Sequence, residues 1–269
     1  MRAFANHFAF EFRTGLRDKN LLLLNYLFPL GFYAMMGVMM GQINPLFIQT
    51  MIPAMAVFAI LSATVLGLPN PLVEGRENGV FRSFKINGVP SLSILSIPAM
   101  TTAFHAIIAC FIIALTAKPL FGAPAPVNWL AFALLCVLAA FTCAGLGALI
   151  GVVSANTRVT ILWSQLIYLP SMMLSGMMVP TSMLPAALRK VGLLLPSTYA
   201  MHAFQGLALG QATDIQPWAA IGILAAGGIL AFGLALYLFS WDSRNTTRRG
   251  HPALAVLALL PYIVGAAIF

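Results

Sequence analysis

The chain has 269 residues, 61% of them hydrophobic and 7% charged, with a mean hydropathy of +0.94 and a net charge of +8. A soluble domain is nearer half apolar and about a quarter charged, so these values exclude a soluble globular fold and predict one all-α integral membrane domain over 1–269. The basic excess is spread between apolar runs instead of gathered on a soluble face, so it points to a bilayer and not to nucleic acid.

Residues 3–18 read as an amphipathic helix. Phe4, Phe8, Phe12 and Leu16 share one arc, while Asn6, His7, Arg13 and Arg17 share the other. That pattern suits a helix lying in the membrane interface or one packed on other protein. The segment mixes charge with phenylalanine and is not expected to be a cleaved leader. Span 1 is predicted over 21–41, because a bilayer core needs about 20 apolar residues in helix. A loop without Lys or Arg follows, over 42–49. Span 2 is predicted over 50–72, with Pro53, Pro69 and Pro71 near its ends.

The next stretch, Glu74 to Pro90, is the one markedly polar interval in the first half of the chain. Val80, Phe81 and Phe84 form an apolar stripe at helical spacing, and Arg76, Asn78, Arg82, Ser83 and Lys85 are expected to face away from it. Gly88 and Pro90 are stop signals. A cytoplasmic helix over 74–88 is predicted, one face on the membrane domain and the other toward a partner; a plain amphipathic connector has the same pattern.

Span 3 is predicted over 92–116, a Pro/Gly loop over 118–128, and span 4 over 129–153. Span 4 contains Gly147-x-x-x-Gly151 and span 1 contains Gly37-x-x-x-Gly41, a spacing that lets helix backbones approach closely. Span 5 is predicted over 159–179. The following interval, 183–212, holds two apolar helical stretches too short to cross, and two re-entrant helices in the outer leaflet are expected. Span 6 is predicted over 218–239, with Trp241 at the interface. The last run, 253–269, is apolar but short and interrupted by Pro261; of a seventh span and a returning hairpin, the span is favoured.

Charge sets the orientation. Eleven of the fourteen basic residues fall on one side of this layout, and Lys118, Arg189 and Lys190 on the other. The positive-inside rule then places the N-terminus and Glu74–Pro90 in the cytoplasm, as expected for a multi-pass protein of the cell inner membrane.

Several chemistries lack their residues. No lysine precedes Ser or Thr, so the phosphate-binding G-x-x-x-x-G-K-[ST] loop is missing and no ATP site is expected in this chain. All six acidic residues fall outside the predicted spans, which counts against a proton- or sodium-coupled transporter. No nucleophile–base pair can be read, so an enzyme is not expected. Cys110, Cys136 and Cys143 lie in apolar runs and read as packing residues, and no metal site is expected. His105, the one ionisable group well inside a span, reads as a packing residue or a functional one. Met35, Met36, Met39 and Met40 cluster in span 1, and Met172, Met173, Met177 and Met178 in or beside span 5. Of these, Met35, Met36, Met39, Met172, Met173 and Met177 are candidates for a translocation path for apolar cargo. A soft-metal path for copper(I) and ordinary packing have the same signature.

These residues resemble the permeases of ABC-2 type transporters. The likeness rests on an N-terminal interfacial helix, six spans, an E-x-x-E-x-G segment (Glu74, Glu77, Gly79) between spans 2 and 3, and above all on the stretch from Asn156 to Gly210. There Ser175 and Gly176 end span 5, Pro180 and Pro185 open the re-entrant part, and Pro196 and Tyr199 mark its second helix. The resemblance implies a type V exporter-like arrangement and a half-channel working as a dimer, a homodimer more than a heterodimer. It implies a separate ATPase subunit that holds ATP and Mg2+ and is coupled through Glu74, Arg76, Glu77, Gly79, Phe81, Arg82 and Phe84. An amphiphilic or hydrophobic drug- or lipid-like cargo moving outward fits the charge-free spans. A lipid-linked glycan or other polymer is the alternative, and a stand-alone channel or membrane anchor remains against both. The tail beyond His251 departs from a six-span layout.

Overall fold

A computed structural model describes residues 22–241 and 250–269. The interfacial helix expected over 3–18 lies outside the described residues. The described chain is helical and contains five helices long and apolar enough to cross a membrane.

The first of these, Leu23–Ile43, opens with a π-turn, Leu23–Leu27, and continues as α1, Phe28–Ile43. The sequence explains the π-turn. The Phe28 N–H bonds the Leu23 carbonyl five residues back, and the next donor in that register would be Pro29, which has none. The stranded Leu24 carbonyl accepts instead from Ser62 Oγ of the neighbouring helix at 3.2 Å. A neighbour's hydroxyl thus restores what proline removes, as the interior of a membrane protein requires.

The second span departs from the sequence reading. The loop expected over 42–49 is reduced to a turn at Asn44, whose side chain caps α2, Pro45–Leu61, by accepting from the Leu46 N–H. A second π-turn, Ser62–Gly67, joins α2 to α3, Pro69–Glu77. Together they form one helical run, Leu46–Glu77, of 32 residues. Pro69 and Pro71 do not end the span. Proline is tolerated in the first turn of α3, and the Thr64 carbonyl, five residues before Pro69, lies against Gly147, where a Cβ would collide with it. At about 1.5 Å per residue the run is some 48 Å long against a hydrocarbon core of about 30 Å. The run is therefore longer than the apolar layer is thick, and Glu74, Arg76 and Glu77 lie at its C-terminal end on the span's own helix.

Gly79, at φ +74°, breaks the chain after α3, and α4 is short, Val80–Ile86. The single helix expected over 74–88 is thus two pieces meeting at an elbow. The third span, α5, runs Ser91–Phe121 and ends on Gly122 in the left-handed region. It absorbs the start of the predicted 118–128 loop, including Lys118. The fourth, α6, is Trp129–Val153, capped by Asn128.

α7, Thr157–Leu174, is capped by Asn156 and stops at Ser175 and Gly176 (φ +86°), five residues short of the predicted end of span 5. It is not among the five long apolar helices, because Arg158, Ser164, Gln165 and Ser171 dilute its apolar run. Short helices follow: a 3-10 turn at Thr181–Met183, α8 at Ala186–Gly192, α9 at Pro196–Ala203 and a π-turn at Phe204–Ala208. The fifth long helix, α10, is Pro217–Leu238.

The C-terminal segment is an eight-residue 3-10 helix, Pro252–Leu259, followed by α11, Leu260–Ile268. It runs back along α10: Gly250 neighbours Tyr237, Tyr262 lies against Gly227, and Gly265 lies against Ile223 and Tyr199. The 3-10 pitch of about 2.0 Å per residue gives this short segment a reach of roughly 30 Å, which an α-helix of the same length would not have.

The core centres on α2, which is almost entirely buried. Phe58 of α2 stacks on Phe32 of α1 at 4.3 Å and meets Tyr168 of α7 at 5.9 Å, so α1 and α7 flank it. The glycines of Gly147-x-x-x-Gly151 seat α6 on the second span within this chain, against Thr64, Leu72 and Pro69.

Candidate functional site

The polar interval that the sequence singles out forms an elbow at one end of the bundle. Glu74, Glu77, Arg82 and Lys85 are exposed there. Arg76 is not. Instead of facing away with its charged neighbours it is 7% exposed, donating through Nη1 to the Val152 carbonyl at 2.7 Å and through Nη2 to the Ser154 carbonyl. These acceptors lie where α6 ends and the turn to α7 begins, where carbonyls lack intrahelical donors. A guanidinium supplies two such donors in a rigid fork. Arg76 therefore binds the end of the second span to the α6–α7 turn.

The apolar stripe is reduced to two aromatics. Phe81 is buried and Phe84 half-buried, while Val80 is exposed. Phe81 folds back over Gly75, where a Cβ would press on its ring, and packs on Phe239 with ring centroids 5.7 Å apart. Phe239 in turn contacts Trp241. Gly75 permits this fold-back and Gly79 permits the reversal, since a positive φ is strained for any residue with a Cβ. Sequence reasoning identified Gly79 but not Gly75, Val152, Ser154 or Phe239. The only local signal for Gly75 is its position beside two acids and an arginine, and the carbonyl partners carry none, because every residue has a carbonyl.

The methionines do not line one path within the chain. Met35 and Met39 of α1 and Met173 of α7 are exposed, Met36 and Met177 are buried in the core, and Met172 is half-buried. The exposed ones belong to apolar outer faces that include Val38 and Ile43 on α1 and Leu162, Leu166 and Leu169 on α7. His105 is buried, and its Nδ1 is 2.6 Å from Tyr26 Oη, linking α5 to the first π-turn. Among the described residues no group of His, Cys, Asp or Glu is arranged to hold a metal.

The signature residues gather at the other end. Ser175 is buried with Oγ donating to the Ser171 carbonyl at 2.5 Å, and Gly176 turns the chain. Pro180 and Pro185 stand before the 3-10 turn and α8, and Pro196 opens α9. Tyr199 is fully buried and donates to the Leu193 carbonyl at 2.8 Å. In the same region His202 is buried; burial lowers its imidazole pKa below the ordinary range, and the Asp214 carboxylate partly opposes this.

Long apolar helices, a charged elbow at one end and a broken helical segment at the other define an integral membrane helix bundle with an external handle. The family model for "ABC-2 family transporter protein" matches residues 22–237. The chain belongs to this family, and it is the transmembrane subunit of an ABC transporter. Members are membrane subunits that work with an ABC ATPase. No curated protein and no solved structure matches the chain.

Proposed function

We propose that this chain is the permease of an ATP-driven exporter that moves an amphiphilic or hydrophobic small molecule outward. The observation that carries the reading is the elbow. Exposed Glu74, Glu77, Arg82 and Lys85 offer a polar surface to a partner, while Arg76 and Phe81 fasten the same segment to the second span, the α6–α7 turn and the end of α10. A push on α4 is thereby passed to the most buried helix of the bundle.

In this reading the ATPase subunit holds ATP and Mg2+, this chain binds no cofactor, and the elbow and N-terminus lie on the cytoplasmic side of the inner membrane. The outer faces of α1 and α7 meet those of a second, identical chain, and cargo passes along that seam. Nucleotide state biases the equilibrium between inward- and outward-open forms. α7 completes the sixth crossing and the C-terminal segment a seventh, its 3-10 pitch supplying the length. The segment 181–208 dips into the outer leaflet.

Co-purification with the ATPase encoded beside this chain tests the reading. The wild-type chain should co-elute with it and Glu77→Arg should not; Gly79→Pro, which cannot adopt a positive φ, should keep insertion and lose ATP-dependent dye export from vesicles. Absence of co-elution for the wild type, or export of a polysaccharide with no effect on hydrophobic dyes, would overturn it.

A further inference from the structure

A cavity of about 250 Å3 lies at the end of the bundle opposite the elbow, between the α1–α2 turn, the end of α7 and α9. Its polar lining comes from Asn44, Gln49, Thr50, Thr181, His202, Gln205 and Ser175, whose hydroxyl is already bonded to the Ser171 carbonyl. Thr50 Oγ1 donates to the Phe47 carbonyl and the Asn44 side chain caps α2. Among the described residues, the side chains of Gln49, Thr181, His202 and Gln205 make no hydrogen bond to protein. His202 is 7% exposed, and its buried Nδ1 has no partner. Buried polar groups are nearly always satisfied, so the unpartnered Nδ1 of buried His202, set beside the half-exposed side chains of Thr181 and Gln205 and the exposed Gln49, marks a site whose partners come from outside the chain.

The lining also says what those partners are. No Asp, Glu, Lys or Arg borders the cavity. The Asp214 carboxylate acts on His202 from outside that lining, and a charged group entering the cavity would lose hydration and gain no ion pair with the lining itself, which is costly. Amide, hydroxyl and imidazole groups offer both donors and acceptors to neutral hydroxyls or amides. Phe47 and Met201 add apolar wall. The volume corresponds to about eight waters at their liquid volume, the size of one ring-sized head group. The rim is held in place, since Gln211 Nε2 donates to the Gln49 carbonyl at 3.1 Å and the Gln211 N–H to the Gln205 carbonyl at 2.9 Å.

We infer that this cavity is a binding site for the uncharged, hydroxyl- or amide-bearing head group of an amphiphile. The inference rests on the proposed amphiphilic cargo and narrows it to neutral head groups. The same chemistry reaches the cavity from transported cargo or from a resident neutral lipid.

The experiment is photolabelling of the full chain in lipid nanodiscs, without ATPase, using diazirine probes of one alkyl length with glucosyl, choline or sulfate heads. The glucosyl probe should label residues 44–50, 175–181 and 201–206 about tenfold more than either charged probe. Thr181→Val with Gln205→Leu should remove that excess, the size expected for losing two neutral hydrogen bonds. Gln49→Leu, at the exposed rim, should reduce it in part and serves if the double variant fails to fold. Equal labelling by the three heads, preference for a charged head, or an excess that survives these substitutions overturns the site. Repeating the labelling with ATPase present separates the sources. A change on adding ATP assigns the site to cargo, and no change assigns it to lipid; both keep the site. Because binding is read without ATPase, its failure is distinct from failure to co-purify or export.

Discussion

The two ends of the bundle handle polar groups in opposite ways. At the elbow the one buried charge, Arg76, is tied to two helix-end carbonyls, and Phe81 is wedged over Gly75. At the other end Gln49, Thr181, His202 and Gln205 border open volume, and the buried Nδ1 of His202 has no partner. The first arrangement suits transmission of force, because a guanidinium bonded to two carbonyls as a rigid fork holds one geometry. The second suits binding, because its partners are yet to arrive. The difference lies in who supplies the partner: the chain itself for Arg76 and, in the proposed site, a ligand for His202.

The sharpest way to break this contrast is to loosen the packing of α6 on the second span without touching the elbow. In Gly147→Ala the new Cβ would strike the Thr64 carbonyl, which is backbone and cannot swing aside. Overpacking of this kind costs about 1–3 kcal/mol and sometimes more, so a large fall in folded yield and thermal midpoint is expected in detergent. A wild-type melting profile would show that the second span and α6 are not held as described.

Next in size is Arg76→Met, which keeps most of the volume and removes both donors. The Val152 and Ser154 carbonyls would be left unpaired at about 1–3 kcal/mol. Export should fall further than stability, and ATP hydrolysis by the partner should persist. Arg76→Lys, without the fork, should recover only part of the export. Equal loss of folding and transport would make Arg76 structural alone.

Phe81→Ala should be milder. Full burial of a phenylalanine is worth up to about 3 kcal/mol, and Phe81 lies near the bundle's edge, so a smaller loss is expected. Its readout is increased proteolysis at 78–90 together with partial uncoupling.

The smallest effect belongs to the cavity end. Because burial holds the folded-state pKa of His202 below its unfolded value, protonation favours the unfolded chain. Stability is present above the ordinary imidazole range and declines as pH falls through it. Thermal midpoints measured from neutral to mildly acid pH should decline for the wild type and decline less for His202→Asn. Identical profiles would mean that this histidine is solvated.

Much of the fold was legible in the sequence for simple reasons. Apolar runs of about twenty residues in lipid leave the backbone only the helix, so Trp129–Val153 and Pro217–Leu238 match their predicted spans within a residue. Asn128 and Asn156 mark helix starts by the capping chemistry of their own side chains, and Gly79 marks the elbow because few residues tolerate its φ. Tertiary structure decided the rest. Proline signals a stop in a sequence, yet Pro29 and Pro69 sit within continuous helical runs because Ser62 satisfies one stranded carbonyl and Gly147 makes room beside another. An arginine beside two glutamates reads as a solvated charge, yet Arg76 is buried because two carbonyls about 76 residues away await donors. Gly147 and Gly151 carry the small-residue spacing of a helix–helix contact but not the identity of the facing helix. Composition and local chemistry determined that this chain is a membrane bundle with a polar elbow. Which polar groups end up bonded and which stay open depended on contacts between residues far apart in the chain, and local periodicity does not encode those contacts.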